Sequence, residues 1–401
     1  MNPNMLTFDE AFAMLTANAR PLREIEMADT FVAHGRVLAA DLVSPVSVPA
    51  LDTSMMDGYA LRVADVPATG TRLSVSQRIP AGRVGHALEP GTAARIFTGA
   101  PLPLGADAVV MQELCEHAGD TVIVNHLPRV AEAVRLAGSE IACGDAVLTA
   151  GSRLRPQQLG LAASVGVAQL PVLRRMRVAL FSTGDELVMP GQPLPPGGVY
   201  NSNRFQLRAL LQQLGCEVTD FGIVPDRIDA TRAMLRDAAE GHDLILTSGG
   251  VSVGEEDHVK PAVEAEGSLD LWKIAMKPGK PLAYGRVGAA AFIGLPGNPV
   301  SSFVTFLLMV RPFILATQGV KDVQPHALAL RAEFDWPRSD RRREFLRART
   351  NDAGGVEIYE HQGAAALSSI VWADGLVDVP ADQPVARGDT VRFLPYGELL
   401  F

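Results

Sequence analysis

The sequence predicts a multidomain α/β protein. A central, doubly wound, mostly parallel α/β sheet domain is flanked by a β-rich domain, a mixed helical linking domain and a small C-terminal β-barrel. Three observations predict this. At 401 residues the chain exceeds what one hydrophobic core supports, roughly 250 to 300 residues. Between residues 177 and 317 short apolar runs alternate with helical segments, the pattern of a parallel sheet with crossover helices. On both sides of that stretch the chain breaks into short strand-like runs between Gly- and Pro-rich turns.

At the amino end, Thr7-Phe-Asp-Glu10 is a capping box that opens an amphipathic helix with Phe8, Phe12 and Leu15 at helical spacing. A second short helix is expected over Asp29 to His34. Ser44-Pro-Val-Ser-Val-Pro49 is extended, because a residue before proline is pushed out of the helical region. Residues 46–134 form the β-rich domain, with strands expected at 72–76, 93–97, 108–111 and 121–124. Residues 1–45 together with 135–172, which include a helix-like segment from Pro156 to Ser164, make the mixed α/β linking domain.

The α/β domain spans 173–319. Its expected elements are a strand at 178–181, a helix from Ser202 to Leu214 stopped by Gly215, a strand at 217–223, and a helix from Asp229 to Glu240 stopped by Gly241. Then come a strand at 244–247, a helix from about Asp257 to Glu266, a hairpin-like pair at 282–286 and 290–293, and a helix from Pro299 to Thr317. Residues 320–401 read as strands again, at 327–334, 342–348, 356–359 and 390–394, and form the small β domain. Within it Arg341, Arg343, Phe345, Arg347 and Arg349 share one strand face. That basic stripe either meets an anion or forms a solvated, ion-paired face, and the second reading is the commoner outcome.

Net charge is -9 with a pI near 5.4, which argues against nucleic acid or an anionic membrane as the main partner. Any anionic ligand must be met by local groups. Cys115, Cys143 and Cys216 lie far apart, so neither a zinc site nor a disulfide framework is suggested, and a reducing cytoplasm fits. The amino terminus lacks the pattern of a signal peptide. The longest greasy candidate, Phe303 to Val310, is expected to be cut by Arg311 and Pro312, short of the ~20 residues that span a bilayer.

Chemistry is expected beyond the carboxyl ends of the parallel strands. Leu244-Ile-Leu-Thr-Ser-Gly-Gly-Val-Ser-Val-Gly254 reads as a strand running into a glycine-rich turn, where backbone N–H groups approach an oxyanion closely. Its Gly249-x-x-x-x-Gly254 spacing imitates half a P-loop, yet Glu255 and Glu256 stand where Lys and Ser or Thr are needed, so it is not a nucleotide P-loop. The plainer alternative is a tight turn that uses glycine for its backbone freedom.

Three further strand ends join it: Ser182-Thr-Gly-Asp-Glu186, Val224-Pro-Asp226 and Leu295-Pro-Gly-Asn-Pro299. In the last, Asn298 is expected to cap a helix beginning at Pro299, leaving the N–H groups of Ser301 and Ser302 outward. Asp185, Glu186, Asp226 and Asp257 concentrate negative charge that is costly unless it is solvated or neutralised by a cation. Asp185 and Asp257 read equally as helix caps, while Glu186 and Asp226 are the better candidates for Mg²⁺ or for polarising a substrate. Lys273, Lys277 and Lys280, around a Pro-Gly turn, either solvate a loop or meet a phosphate or tetrahedral oxyanion. Asp52-Thr-Ser-Met-Met-Asp57-Gly and the Thr98 to Asp107 segment read on their own as turn chemistry.

Taken in series, Ser54-Met-Met-Asp-Gly-Tyr-Ala60, Thr98-Gly-Ala-Pro-Leu-Pro, Ser182-Thr-Gly-Asp-Glu-Leu187, Thr247-Ser-Gly-Gly-Val-Ser-Val-Gly254 with Asp257-His258, Met276-Lys-Pro-Gly-Lys-Pro281 and Gly294-Leu-Pro-Gly-Asn-Pro-Val-Ser301 resemble the molybdopterin molybdenumtransferase family, MoeA, with the homologous gephyrin domain. The match runs in order over essentially the whole chain. The resemblance implies four domains and an elongated homodimer whose active site is shared between subunits. It also implies Mg²⁺-dependent insertion of molybdate into adenylylated molybdopterin with release of AMP. In its terms 173–319 is the molybdopterin-binding domain.

Carried over residue by residue, the resemblance makes Asp57, Thr98, Glu186, Asp226, Asp257, Lys273 and Lys277 catalytic, with Glu186, Asp226 and Asp257 holding the metal. Thr183, Gly184, Ser248, Gly249, Gly250, Ser252, Gly254, Lys280, Pro296, Gly297, Asn298 and Pro299 bind the pterin substrate. Asp57 and Thr98 are expected from the other subunit. The partners it points to are the pterin adenylyltransferase and molybdoenzyme chaperones. Two departures stand out: Glu140 replaces the usual Asp after Arg135-Leu-Ala-Gly138, and Ala364 replaces the serine that commonly follows Gln362-Gly363. The rival functions are a non-catalytic pterin-binding scaffold and a pterin adenylyltransferase.

Overall fold

A computed structural model describes residues 5–250, 258–338 and 340–400. Internal contacts divide the chain into two compact units. One comprises Met1–Glu26, Gly35–Ala39 and Val172–Phe401; the other comprises Met27–His34 and Ala40–Pro171.

The larger unit is built on a seven-stranded sheet in the order Met5–Leu6, Gly267–Ile274, Pro281–Val287, Ala290–Leu295, Leu244–Ser248, Arg177–Thr183 and Glu217–Val224. The last four strands are all parallel, and the expected hairpin supplies the antiparallel pairing of Pro281–Val287 with Ala290–Leu295. Both faces are covered, as the alternation of side chains along each strand requires. Val178, Leu180, Leu244, Leu246 and Ile293 face a core shared with Leu207, Leu211 and Val304, whereas Ala179, Phe181, Ile245 and Phe292 face one shared with Leu235, Ala238 and Val263.

Arg177–Thr183 has the next strand in sequence, Glu217–Val224, on one side and the third, Leu244–Ser248, on the other. The chain therefore reverses direction across the sheet beside Thr183, and such a switch point opens a crevice beyond the strand ends. The expected helices form as Ser202–Gln213, Ile228–Ala239 and Val259–Glu266. Thr7 closes the reciprocal capping box with Glu10 on the helix Phe8–Ala17.

Two expectations change. Asp29 to His34 is not a helix but a 3₁₀ turn over Thr30–Val32, with Asp29 accepting from the Phe31 N–H at 2.8 Å. The helix from Pro299 to Thr317 forms as expected, but its apolar stretch is not cut at Arg311-Pro312: the helix runs through a widened π turn at Phe306–Val310, one residue ahead of the proline that cannot donate. This is the one described helix long and apolar enough to cross a membrane, with mean hydropathy 1.8, and it is 94 % buried inside the protein as a core helix.

After it, Leu328–Ala332, Arg343–Thr350, Gly355–Ile358, Gly375–Val379 and Thr390–Pro395 close into a five-stranded barrel, because Arg343–Thr350 pairs with both Gly355–Ile358 and Gly375–Val379. The basic stripe resolves into different fates. Arg343 pairs with Asp378 and Arg349 with Glu357, while Arg347 is 1 % exposed and bonded to Ser369 and backbone carbonyls. Burial without a carboxylate partner pushes the Arg347 guanidinium down to about 10.

The smaller unit carries a six-stranded sheet in the order Ala108–Met111, Gly58–Leu61, Thr92–Ile96, Thr71–Ile79, Thr121–Val124 and Cys115–Ala118. All four expected strands are present, with Gly58–Leu61 and Cys115–Ala118 added. Gly58 is required by its neighbour, since a Cβ there would stand 2.0 Å from the Val110 carbonyl oxygen.

Candidate active site

The switch-point crevice of the larger unit opens into a cleft of about 820 Å³. One wall comes from Thr183, Gly184 and Glu186 after the first parallel strand and from Asp226 after the second. Gly249 and Gly250 follow the third, and Pro296, Gly297, Asn298 and Ser301 lead from the last strand into the long helix. The rest of the lining, the basic wall, is the Lys277–Pro281 turn with Arg342 and Gln362–Ala364 from the barrel.

Backbone geometry explains the glycines. Gly249 and Gly250 have φ of 90° and 66°, and a Cβ on Gly250 would stand 2.4 Å from Val259 Cγ2 and 2.8 Å from Thr183 Cγ2. The Gly249 N–H already donates to the Leu295 carbonyl at 3.0 Å, so it belongs to the sheet rather than to a ligand. Ser248 is buried in the strand and Pro299 begins the helix, its carbonyl accepting from Gln206; neither lines the cleft.

At the helix start the expected cap is corrected. Asn298 occupies the N-cap but its side chain caps nothing, and the Ser302 N–H is inside the helix, donating to the Asn298 carbonyl at 2.9 Å. The Val300 N–H instead donates to the Ala364 carbonyl of the barrel loop at 3.0 Å. Asn203 holds the turn from behind by donating to the Gly297 carbonyl at 2.8 Å.

Glu186 and Asp226 share the acidic wall. The Thr183 hydroxyl lies 3.4 Å from Asp226 Oδ1, and the Asp226 N–H donates to Asp185 Oδ1 at 3.3 Å. The Glu186 carboxylate folds over Gly184, where a Cβ would come within 2.6 Å of Oε2. Among the described residues, no Lys or Arg ion-pairs with Asp185, Glu186 or Asp226. Unneutralised carboxylates on one wall suit a divalent cation. No described group of three or more acidic, His or Cys side chains could hold a metal unaided, and Asp257, Ser252 and Gly254 lie outside the described residues.

Lys277 and Lys280 line the basic wall, whereas Lys273 is half-buried in the Gly267–Ile274 strand, outside the cleft lining. Lys277 is not free: its Nζ lies 2.8 Å from Glu344 Oε1 and 3.8 Å from Asp340 Oδ2. Arg342 contacts Asp340 through two nitrogens, at 3.0 and 2.7 Å, and this guanidinium holds the Asp340 carboxyl at about 2. Gly279, with φ of 106°, packs where a Cβ would meet the Thr305 hydroxyl at 2.2 Å, which seats the lysine turn on the long helix. Ser301 and the Gln362 loop, both singled out in the sequence, join the lining here, whereas Arg342 has no sequence signal because barrel and sheet meet only through the fold. Gln362 had a readable signal in the Gln-Gly pair.

Asp57 and Thr98 lie together in the smaller unit. Thr98 donates both its N–H and its hydroxyl to Asp57 Oδ1, and these bonds hold the Asp57 carboxyl below the usual range. The pairing of Thr53–Ser54 with Val134–Arg135 brings Arg135 beside the same loop, where it ion-pairs with Glu140.

A doubly wound sheet with a glycine-lined, acid-and-lysine cleft at its switch point, followed in sequence by a small barrel, defines a ligand-binding α/β domain of the molybdopterin type. Family models match along the chain: the MoeA N-terminal region (domain I and II) over residues 6–166, a probable molybdopterin binding domain over 179–316, and the MoeA C-terminal region (domain IV) over 329–396. The chain belongs to the MoeA family of molybdenum cofactor biosynthesis enzymes, whose curated members are named molybdopterin molybdenumtransferase. Such a protein from Haemophilus influenzae is 39 % identical over 405 residues, covering 99 % of this chain and 100 % of the relative. Molybdopterin molybdenumtransferase 2 of Mycobacterium tuberculosis is 40 % identical, covering 87 % and 89 %. The crystal structure of the molybdopterin biosynthesis MoeA protein from Pyrococcus horikoshii superposes with a TM-score of 0.85 at 26 % identity, over 98 % of this chain and 100 % of that one.

Proposed function

We propose that this enzyme inserts molybdate into adenylylated molybdopterin and releases AMP, producing molybdenum cofactor in a Mg²⁺-dependent reaction. The carrying observation is that one cleft is lined both by carboxylates without an ion-pair partner among the described residues, Glu186 and Asp226, and by the cations Lys277, Lys280 and Arg342. Pterin phosphate is placed against the glycine turns around Thr183, Gly184, Gly249, Gly250 and Pro296 to Asn298. Glu186, Asp226 and Asp257 would hold Mg²⁺, which when bound supplies neutralising charge to the phosphoanhydride. Lys277, which lines the cleft, and Lys273, which does not, are the cations assigned to the incoming molybdate, and binding and orientation supply the rate. No side chain serves as a covalent nucleophile.

The assembly we propose is a homodimer in which Asp57 and Thr98 reach the partner's cleft. Exposed apolar side chains on the smaller unit support a second copy, with Phe31 at 93 %, Val32 at 67 % and Met55 at 55 % exposure. Four domains, 1–45 with 135–172, 46–134, 173–319 and 320–401, and a cytoplasmic setting complete the reading, together with the pterin adenylyltransferase and molybdoenzyme chaperones as partners. The test is AMP release from adenylylated molybdopterin with Mg²⁺. Release that requires molybdate is expected; pterin binding without turnover would replace this reading with a scaffold, and ATP consumption would replace it with an adenylyltransferase.

A further inference from the structure

The lysine of the cleft has a buried counter-ion in the barrel. Glu344 is 1 % exposed and is the Cα partner of Lys277 in a parallel strand pairing, so the two side chains leave the backbone on the same side. Its Oε2 accepts from Trp336 Nε1 at 2.8 Å and from the Asp340 N–H at 3.2 Å, while its Oε1 lies 2.8 Å from Lys277 Nζ. Asp340 is nearer to Arg342 than to Lys277. Lys277 is therefore the cation that neutralises Glu344, and a buried carboxylate stripped of its cation is costly. The charged groups around Nζ, namely Glu344, Asp340 and Arg342, sum with Lys277 to zero.

We propose that Glu344 is a positioning residue for molybdate transfer. It fixes the Lys277 ammonium against the cleft wall and tempers its charge, so that a tetrahedral dianion is oriented there without being trapped before transfer. This rests on the reading that Lys277 faces the oxyanion. Tight ground-state binding of molybdate would lower KM without helping the chemical step, and a carboxylate 2.8 Å from the ammonium limits it. If Glu344 served only as a hydrogen-bond acceptor, glutamine could replace it, because the amide oxygen still accepts from Trp336 and the Asp340 N–H.

The experiment titrates inorganic molybdate into the full-length protein at constant ionic strength. Wild type, Glu344→Gln, Glu344→Asp, Lys277→Met and the Glu344→Gln/Lys277→Met pair are compared, with KM for molybdate and kcat measured on each. Glu344→Gln is expected to bind molybdate roughly tenfold tighter and to lower KM and kcat together, the tightening vanishing in the Lys277→Met background. Glu344→Asp keeps the charge and both constants near wild type. An equal effect with and without Lys277, or a lower kcat with unchanged KM, overturns the role of Glu344 alone. Unchanged molybdate binding in Lys277→Met overturns the assignment of Lys277 as well. If Glu344→Gln fails to fold, Trp336→Phe, which leaves Oε2 only the Asp340 N–H and the carboxylate fully charged, is expected to raise KM for molybdate, opposite to Glu344→Gln and by a smaller factor, and no movement or a lower KM overturns the proposal.

Discussion

Thr98 gives two hydrogen bonds to one oxygen of Asp57: its N–H and its hydroxyl each lie 2.8 Å from Oδ1. The backbone bond is the larger cause of the lowered Asp57 carboxyl. Thr98→Val removes only the hydroxyl, so the Asp57 pKa is expected to rise part of the way to the ordinary value, while Thr98→Ser keeps it low. A carboxylate NMR titration reads this directly. A depressed carboxyl stabilises the fold above its unfolded pKa and loses that contribution as pH falls through the folded one, so the two variants should differ near neutral pH and converge in acid.

Gly250 leaves no room for a side chain. Alanine there meets Val259 and Thr183 at 2.4 and 2.8 Å and must also adopt a φ of 66°. Gly250→Ala should cost on the order of 1–3 kcal/mol in denaturant unfolding, from strain and overpacking together. Gly241→Ala is the control: it shares a positive φ of 88° but has nothing within 4 Å of its Cβ, so only the backbone penalty remains.

Asp226→Ala and Glu186→Ala test the acidic wall. Both side chains face the cleft without an ion-pair partner among the described residues, so their loss removes no structural salt bridge. AMP release should fall by at least tenfold with thermal stability within a few degrees of wild type, and the Mg²⁺ concentration for half-maximal rate should rise. Unchanged turnover in both would remove them from the reaction.

How much of this was legible depends on what each segment announces locally. The α/β domain was readable because its helices carry stops such as Gly215 and Gly241 and its strands are short apolar runs. Gly58–Leu61 was hidden because Asp57-Gly58 reads as a turn, whereas the glycine is there to admit the Val110 carbonyl. Gly267–Ile274 was hidden because it continues directly from the helix Val259–Glu266, and its glycine looks like a helix stop. The glycine and acidic parts of the cleft follow strand ends and could be found in sequence. Of its basic wall, Lys277 and Lys280 were legible beside their Pro-Gly turn, but Arg342 was not, because it joins them only once the barrel closes and the Ala364 carbonyl of its loop accepts from the Val300 N–H.

Asp340 offers a clean electrostatic test on that basic wall. The Arg342 guanidinium, bonded through two nitrogens, holds the Asp340 carboxyl at about 2, and Lys277 adds a weaker pull from 3.8 Å. Because the folded pKa is depressed, the carboxylate stabilises the protein above its unfolded pKa near 4. That contribution is lost as pH falls from about 4 towards 2. The side chain is 25 % exposed, so solvent screening leaves roughly 1 kcal/mol at neutral pH rather than the full linkage value. Asp340→Asn should therefore be less stable than wild type by about 1 kcal/mol at pH 7, and the gap should close as both are taken towards pH 2. Urea unfolding across that range measures it. A constant gap would mean that the amide variant loses packing or hydrogen bonds instead, and that the Asp340–Arg342 pair carries no net charge stabilisation.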